Sequence, residues 1–282
     1  MSLKLLHIII ALCLSFFLPC CLLQRRIFNG SNAKIKQFPY IVNVRGVLFT
    51  CGGALISDRF VLTAGHCLMG TSDLDDVVVI LGAHNYYNNG ETGRLEIHSR
   101  KFWVHENFSM PLAENDLAII ELPYSVNFTD QIQPIKIATD ENFEEKINNN
   151  ENETIAVTSG WGYQNIDYEP AEILQTARMK LMPFEECKKF QSHFIEKVTS
   201  NHICAIGYDN RPGHATMLCG GDSGSPLTID GQLIGITSYI KDAENGTALH
   251  YNDCKTEIAP AVFIRIPSYL KWISEKTHME FK

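Results

Sequence analysis

Short apolar segments separated by turn residues recur along this chain from residue 38 almost to its end. Many short strands at a spacing of about 8–12 residues are typical of β-sandwiches and β-barrels. We therefore predict an all-β fold. The predicted strands are residues 40–44, 53–56, 60–63, 77–81, 117–122, 155–158, 233–237 and 261–264.

Helical periodicity is scarce in comparison. One short helix is predicted from Pro183, because proline is tolerated in the first turn, and a second over residues 268–276, where apolar residues follow a capping serine. Residues 140–154 are acidic and rich in asparagine, which predicts a solvated surface loop.

Composition narrows the class of protein. Of 282 residues, 45% are hydrophobic and 20% are charged, and the formal net charge is −8. The apolar fraction is high enough to fill a core and to exclude intrinsic disorder. An acidic chain lacks the clustered Lys and Arg of a nucleic-acid-binding protein, so nucleic acid is not an expected partner.

The first residues resemble a secretory signal peptide. Lys4 precedes an apolar run over residues 5–18, and cleavage near Cys20 or Cys21 would give a signal peptide of residues 1–21 and a short propeptide of residues 22–26. The alternative is an uncleaved membrane anchor. The run is close to the lower length limit for a span, so we expect a secreted, extracellular protein without a membrane partner.

Cysteine usage agrees with an oxidising compartment. Outside the leader the chain has six cysteines, an even number, and no CxxC motif, so disulfides are expected rather than a zinc cluster. Six cysteines allow 15 pairings, and spacing alone does not choose among them. Glycosylation sequons begin at Asn107, Asn127, Asn152 and Asn245, with a fifth at Asn29.

The segment Gly220-Gly-Asp-Ser-Gly-Ser-Pro226 is the most informative for chemistry. Glycines around a serine permit a tight turn whose backbone N–H groups point outward, as an oxyanion site requires. The alternative interpretation is an ordinary Gly/Ser-rich turn. The segment is not the G-x-S-x-G turn of α/β-hydrolases, because Ser225 stands where the last glycine should be.

Two further segments supply the other groups that such a serine needs. In Thr63-Ala-Gly-His-Cys67, His66 follows small residues at the end of a predicted strand. In the segment 115–120, Asp116 leads into an apolar strand where an unpaired carboxylate would be costly. Each residue alone also fits a purely structural role. Together His66, Asp116 and Ser223 meet the needs of nucleophilic acyl transfer.

The sequence resembles the chymotrypsin/trypsin-like serine proteases over residues 27–282. The resemblance rests on Ile27-Phe-Asn-Gly after Arg26, Cys51-Gly-Gly, Thr63-Ala-Gly-His-Cys, Asn115-Asp-Leu-Ala, Gly160-Trp-Gly, Gly221-Asp-Ser-Gly-Ser-Pro and Ala261-Val-Phe. It implies one protease domain of two packed six-stranded antiparallel β-barrels, with the active site between them, a short intermediate helix and a C-terminal helix.

The resemblance also assigns roles. His66 is the expected general base, Asp116 its orienting carboxylate and Ser223 the nucleophile, with the N–H groups of Gly221 and Ser223 as the oxyanion hole. The implied disulfides are Cys51–Cys67, Cys187–Cys204 and Cys219–Cys254. No cofactor or metal is expected. The expected partners are protein or peptide substrates and protein protease inhibitors, and the expected oligomeric state is a monomer.

Activation by proteolysis is a further implication. A trypsin-like protease cutting after Arg26 would free the α-ammonium of Ile27, which by resemblance forms a buried ion pair with Asp222. Loss of one partner from a buried pair costs about 3–5 kcal/mol, enough to disrupt the oxyanion hole. The alternative is that Arg25 and Arg26 are merely an exposed basic pair.

The primary specificity pocket is implied to involve Met217, Ser238, Ile240 and Ala261. Met217, at the base, offers no charge for a substrate Lys or Arg, and the β-branched Ile240 narrows the entrance. We expect a shallow apolar pocket that prefers small or aliphatic P1 residues, as in elastase-like enzymes. The alternatives are a chymotrypsin-like preference for aromatic residues and a filled pocket with very slow turnover.

Several residues depart from the family pattern. Gly65 replaces a usual alanine, Ser225 a usual glycine and Tyr239 a usual tryptophan, while Ala83 replaces a glutamate of calcium-binding members, so no calcium site is expected there. The segment between Ile240 and Cys254 is longer than usual. A serine-protease homologue that binds without cleaving is the main competing function, although such proteins usually lose a triad residue. A metal hydrolase is excluded, because His105-Glu lacks the second histidine of a zinc helix.

Overall fold

The structure, a computed structural model, describes residues 27, 30–72, 77–110, 113–139, 154–163, 169–190, 198–209, 216–240 and 260–281. Among them, no helix has the length and apolar composition needed to cross a membrane.

The first half of the chain forms a seven-stranded antiparallel sheet. Its strands are β2 (Ile41–Arg45), β3 (Thr50–Leu55), β4 (Phe60–Thr63), β5 (Val78–Leu81), β6 (Leu95–His98), β7 (Lys101–Val104) and β8 (Ala118–Glu121). Their spatial order is β6-β5-β2-β3-β4-β8-β7. Buried aliphatic side chains, among them Leu55, Leu62 and Ile119, fill the interior of the sheet.

The second half closes into a six-stranded barrel. Its strands are β10 (Ile155–Gly160), β11 (Gln175–Leu181), β12 (His202–Gly207), β13 (Pro226–Ile229), β14 (Gln232–Ile240) and β15 (Ala261–Arg265). Their spatial order is β11-β10-β13-β14-β15-β12, and the barrel closes because β12 also pairs with β11. Two short strands join the edges: β1 (Ser31–Asn32) pairs with β11, and β9 (Lys136–Ile137) pairs with β14 in parallel.

The all-β prediction is confirmed. All eight predicted strands are present within a few residues of their expected bounds. Both predicted helices also form, as α1 (Phe184–Phe190) and α2 (Leu270–Thr277), the latter preceded by a 3-10 turn over Ile266–Tyr269. The predicted surface loop at 140–154 lies outside the described residues except for its last member.

A backbone hydrogen bond joins the two halves of the molecule near the predicted site. There the amide of Gly52, on β3, donates a 2.7 Å hydrogen bond to the carbonyl of Ser223. A separate buried cluster joins the halves farther along, with Ile41 and Ile80 from the first sheet against Trp161 and Leu174 from the second. This packing sets the relative position of the loops that carry the predicted site.

Candidate active site

His66 and Asp116 form a buried pair at the ends of two neighbouring strands. His66 lies in a 3-10 turn (Gly65–Leu68) directly after β4, and Asp116 lies just before β8, its hydrogen-bonded neighbour. His66 Nδ1 is 2.8 Å from Asp116 Oδ2, and the His66 amide donates to Asp116 Oδ1, also at 2.8 Å. Two bonds to one carboxylate fix both the ring and the backbone of His66.

A third donor comes from the second barrel. Ser238 Oγ donates to Asp116 Oδ2 at 2.6 Å. Burial disfavours the ionised carboxylate, but the charge and hydrogen bonds of His66 and the hydroxyl of Ser238 outweigh it, so the pKa of Asp116 is lowered. Burial disfavours imidazolium as well, yet the charge and hydrogen bond of Asp116 leave the pKa of His66 raised. The pair therefore stabilises a proton on His66.

The serine-bearing turn packs directly against β3 and against the end of β4, just before the 3-10 turn that contains His66. A methyl group added at Gly224, which has a φ of +77°, would lie 2.3 Å from both Gly52 O and Thr63 Oγ1 and 3.2 Å from the amide of Ala64. Ser223 is partly exposed at this contact. Within the described ranges, no hydrogen bond joins the Ser223 hydroxyl to His66.

Two amides of the turn are available for a ligand. Among the described residues, neither Gly221 N–H nor Ser223 N–H donates a hydrogen bond, whereas Asp222, Gly224 and Ser225 N–H all donate within the protein. Gly221 has a φ of +86°, which favours glycine and turns its peptide planes outward. This alternation is the arrangement that an oxyanion site requires.

The side chain of Ser225 fits into the serine turn because two glycines lie next to it. Its hydroxyl is fully buried and has no partner among the described residues. A methyl group at Gly52 would lie 2.2 Å from Ser225 Oγ, and one at Gly160 would lie 2.9 Å from it. The extra side chain in this crowded turn is therefore accommodated by missing ones on β3 and β10.

Asp222 is a fully buried carboxyl group held by backbone amides. The amides of Gly162 and Cys219 donate to its two oxygens at 2.9 Å, but no ion pair reaches it from the described part of the chain. Burial raises the pKa of Asp222 to about 7, against the opposing effect of these two amides. Ile27, its predicted partner, is completely buried in the cluster that contains Leu218, the residue before Cys219.

Three of the four predicted pocket residues lie on paired strands. Ile240 is opposite Ala261 in the pairing of β14 with β15, and Ser238 lies at the irregularity in that pairing. Met217 and Ala261 are almost completely buried, while Ile240 is partly exposed. The hydroxyl of Ser238 is bonded to Asp116, so the side chains left for a substrate at these positions are apolar.

The structure contains the Cys51–Cys67 and Cys187–Cys204 disulfides that the resemblance implies. Cys219 is disulfide-bonded, and its predicted partner, Cys254, lies outside the described residues with the long segment before it. The sequon residues Asn107 and Asn127 are exposed. Asn29, Asn152 and Asn245 are outside the described ranges.

One group of potential metal ligands lies close together in the described part of the chain, but it is unsuited to a metal ion. Among the described residues, Cys51, His66 and Cys67 bring potential ligand atoms within 4.8 Å of one another. The two sulfurs are joined in a disulfide, however, and only a thiolate is a metal ligand.

The sequence analysis did not predict the residues that hydrogen-bond to the segments around Asp116 and Asp222. His202 on β12 and Tyr269 near the C-terminus both bond to the segment that precedes Asp116. The amide of Gly162 donates to Asp222. The Gly160-Trp-Gly motif does not by itself indicate this role. No local pattern marks these residues, because their contacts join parts of the chain 60 to 154 residues apart.

Comparisons with known proteins agree with this geometry. The family model described as Trypsin matches residues 27–273. The chain is 32% identical to kallikrein 1-related peptidase b5 of Mus musculus over 89% of this chain and 90% of that protein. It is 30% identical to a chymotrypsin of Phaedon cochleariae (91% and 83% covered) and 31% identical to a collagenase of Hypoderma lineatum (92% and 90% covered). With this fold and these matches, the chain belongs to the trypsin-like serine protease family.

Proposed function

We propose that the protein is an active serine endopeptidase that cleaves peptide bonds through a Ser223–His66–Asp116 acyl-enzyme mechanism. Ser223 Oγ attacks the scissile carbonyl while His66 Nε2 accepts its proton. Asp116 keeps the other proton on Nδ1 and stabilises the imidazolium that forms. His66 then returns the proton to the leaving amine, and water repeats the sequence on the acyl-enzyme.

The observation that carries the proposal is the buried pair of His66 and Asp116, fixed by two 2.8 Å bonds and by Ser238. A structural carboxylate needs hydrogen-bond partners, but it does not need an imidazole three residues after Thr63, the residue against which Gly224 of the serine turn packs. The N–H groups of Gly221 and Ser223 add a site for the developing oxyanion. Losing one such donor typically costs about 2.7–4 kcal/mol of transition-state stabilisation.

Single substitutions test the triad. Ser223→Ala and His66→Ala should each remove nearly all turnover of a peptide substrate, and the double variant should lose little more, because the groups act as a unit. Ser125→Ala, an exposed serine, is the matched control and should retain activity. Substantial residual activity in a folded Ser223→Ala protein would contradict the assignment.

For specificity, we infer a preference for small or aliphatic P1 residues. Support comes from the apolar character of Met217, Ile240 and Ala261 and from the engagement of Ser238 with Asp116. Each misfitted methylene in such a pocket is worth about 1–3 kcal/mol. A chymotrypsin-like preference for aromatic residues is the alternative, and the relative from Phaedon cochleariae carries that enzyme's name.

A peptide library that varies P1 tests this inference. Ala, Val or Leu should rank highest, and Ile240→Gly should shift the preference toward larger residues by widening the entrance. Efficient cleavage after Lys or Arg would contradict the pocket assignment. A strong preference of the unaltered enzyme for Phe or Tyr would contradict only the role given to Ile240.

Secretion, activation by cleavage after Arg26, and glycosylation at the exposed Asn107 and Asn127 are parts of the same proposal. The disulfides support secretion, and the buried Asp222, which has no ion pair in the described part of the chain, supports activation. The competing function, a homologue that binds a partner without cleaving, predicts no turnover even after cleavage at Arg26.

A further inference from the structure

The backbone just before Asp116 adopts an unfavourable conformation at two positions. Ala113 has a φ of +50° and Asn115 a φ of +53°, and neither is glycine. Left-handed backbone costs a non-glycine residue on the order of 1–3 kcal/mol and persists only where the surroundings determine it strongly. Segment 113–116 therefore depends on contacts with other parts of the protein to place the carboxylate.

One such contact acts on Asn115. The hydroxyl of Tyr269 donates to Asn115 Oδ1 at 3.0 Å, and Asn115 Nδ2 donates to the carbonyl of Asn107 at the same distance. These bonds hold the residue next to Asp116 from one side.

The other contact comes from the second barrel. His202, the first residue of β12, is buried, and its Nε2 lies 3.4 Å from the carbonyl of Ala113. This hydrogen bond connects residues 89 positions apart and crosses from one half of the molecule to the other. It reaches the segment at its first left-handed residue.

The partners of His202 fix its tautomer. The amide of Thr199, 3.1 Å from Nδ1, can only donate, so Nδ1 must be unprotonated. The proton of the neutral ring is then on Nε2, where it donates to the Ala113 carbonyl, which can only accept. Burial lowers the pKa of His202, against smaller opposing effects of its backbone hydrogen bonds and of Asp116 and Glu114, so the ring is neutral at pH 7.

We propose that His202 is a positioning residue for the hydrolysis proposed above: its Nε2–H holds the Ala113 carbonyl, and through segment 113–116 it keeps the Asp116 carboxylate against His66. His202 does not touch the substrate. It acts on the reaction because a displaced Asp116 stabilises the imidazolium less well.

Two amide substitutions separate the two hydrogen bonds of the ring. In His202→Gln the side-chain amide reaches the position of Nε2 and retains the donor to Ala113. In His202→Asn the shorter side chain replaces Nδ1 alone, and the donor to Ala113 is lost. His98→Asn, an exposed histidine on β6, is the control for the chemical change itself.

The measurements are kcat, KM and the pH dependence of kcat/KM, normalised by active-site titration. We expect His202→Asn to lower kcat by about tenfold or more, within the hundredfold that a misplacement of about 1 Å costs, and to shift the acid limb to lower pH because the pKa of His66 falls. His202→Gln should stay within about twofold of the unaltered enzyme in kcat and keep its pH profile.

Other results would overturn the proposal. A raised KM with unchanged kcat and pH profile would mean that the segment only shapes substrate binding. Equal loss in both amide variants would mean a packing role. If neither variant folds, a long-range ¹H–¹⁵N spectrum of the Ser223→Ala protein decides: a proton on Nδ1 of His202 contradicts the proposal. An inactive, correctly cleaved natural enzyme would instead refute the proposed function.

Discussion

At the scale of single residues, Asp222 is a fully buried acidic group that has no ion pair within the described ranges. A carboxylate whose pKa is raised to about 7 is partly protonated at neutral pH, because burial without a cation outweighs its two amide donors. A positive charge placed beside such a carboxyl group would favour its ionised form. In the proposed activation, the α-ammonium of Ile27 supplies this charge, and the pKa of Asp222 then falls.

The uncleaved chain should therefore carry a pH-dependent penalty at this residue. A carboxyl group with a raised pKa in the folded state contributes stability that is complete below its unfolded pKa near 4 and is lost as the pH rises through about 7. With roughly 1.4 kcal/mol per pKa unit, the loss is on the order of 4 kcal/mol. Asn at this position cannot ionise and should not show it.

Urea unfolding at several pH values between 4 and 8 measures this effect. The proteins are Arg26→Gln, which stays uncleaved, and the same protein with Asp222→Asn. The difference in unfolding free energy should move in favour of the Asn variant as the pH rises, while the contributions of His66 and Asp116 cancel. Parallel curves for the two proteins would contradict the raised pKa.

The sequence predicts which residues form the proposed site better than it predicts their protonation states. His66, Asp116 and Ser223 lie in recognisable motifs, and the structure brings His66 and Asp116 into contact as expected. The protonation of Asp222 and the role of His202 depend on burial and on distant partners. The residues next to Asp222 and His202 in the sequence indicate neither their burial nor these distant partners.

At the scale of elements, the contact between the serine turn and β3 is one of the tight junctions near the proposed site. Gly52 and Ser225 meet there, and a methyl group at Gly52 would lie 2.2 Å from Ser225 Oγ and 2.9 Å from its Cα. Contacts this short require the turn to move. The turn also holds Ser223, so the displacement would reach the proposed nucleophile.

A double-mutant cycle tests this junction. Gly52→Ala should destabilise the protein by about 1–3 kcal/mol, the usual cost of overpacking, and lower activity. Ser225→Gly removes the hydroxyl that clashes, so the double variant should recover part of both losses, although the contact with the Cα persists. Thermal unfolding and kcat measure the coupling. Additive effects would contradict a direct clash between these residues.

Most strands with continuous apolar runs were predicted, whereas the weakly patterned strands and the apolar β12 and β13 were not. Segments such as 60–63 and 117–122 are continuous aliphatic runs. By contrast, β6 buries a single side chain, Ile97, and β11 alternates inward residues as different as Gln175, Ala177 and Met179. Pairing with neighbouring strands, rather than side-chain pattern, determines these elements.

At the scale of the whole molecule, the residues of the proposed site come from both halves of the chain. His66 and Asp116 come from the first sheet, and Ser223 and Ser238 from the second barrel, 122 residues separating Ser238 from Asp116. The halves must therefore be held in register for the chemistry to work. Barrel closure through the pairing of β11 with β12 is long-range, and only the family resemblance predicted it.

Activation is a prediction about this whole assembly. Arg26→Gln should stay nearly inactive after treatment with a trypsin-like protease, because no α-ammonium is freed for Asp222. The unaltered chain, cut after Arg26, should gain activity, and a chain expressed to begin at Ile27 should be active without treatment. Full activity in uncleaved Arg26→Gln would show that Asp222 needs no partner.

The measurement that tests the central claim most directly is covalent labelling by a fluorophosphonate after cleavage at Arg26. The probe reacts with a serine only where a base and an oxyanion site activate it. We predict stoichiometric modification of Ser223, located by peptide mass spectrometry, and its loss in His66→Ala. A folded, cleaved protein whose Ser223 stays unmodified would contradict the assignment of this chain as an active serine protease.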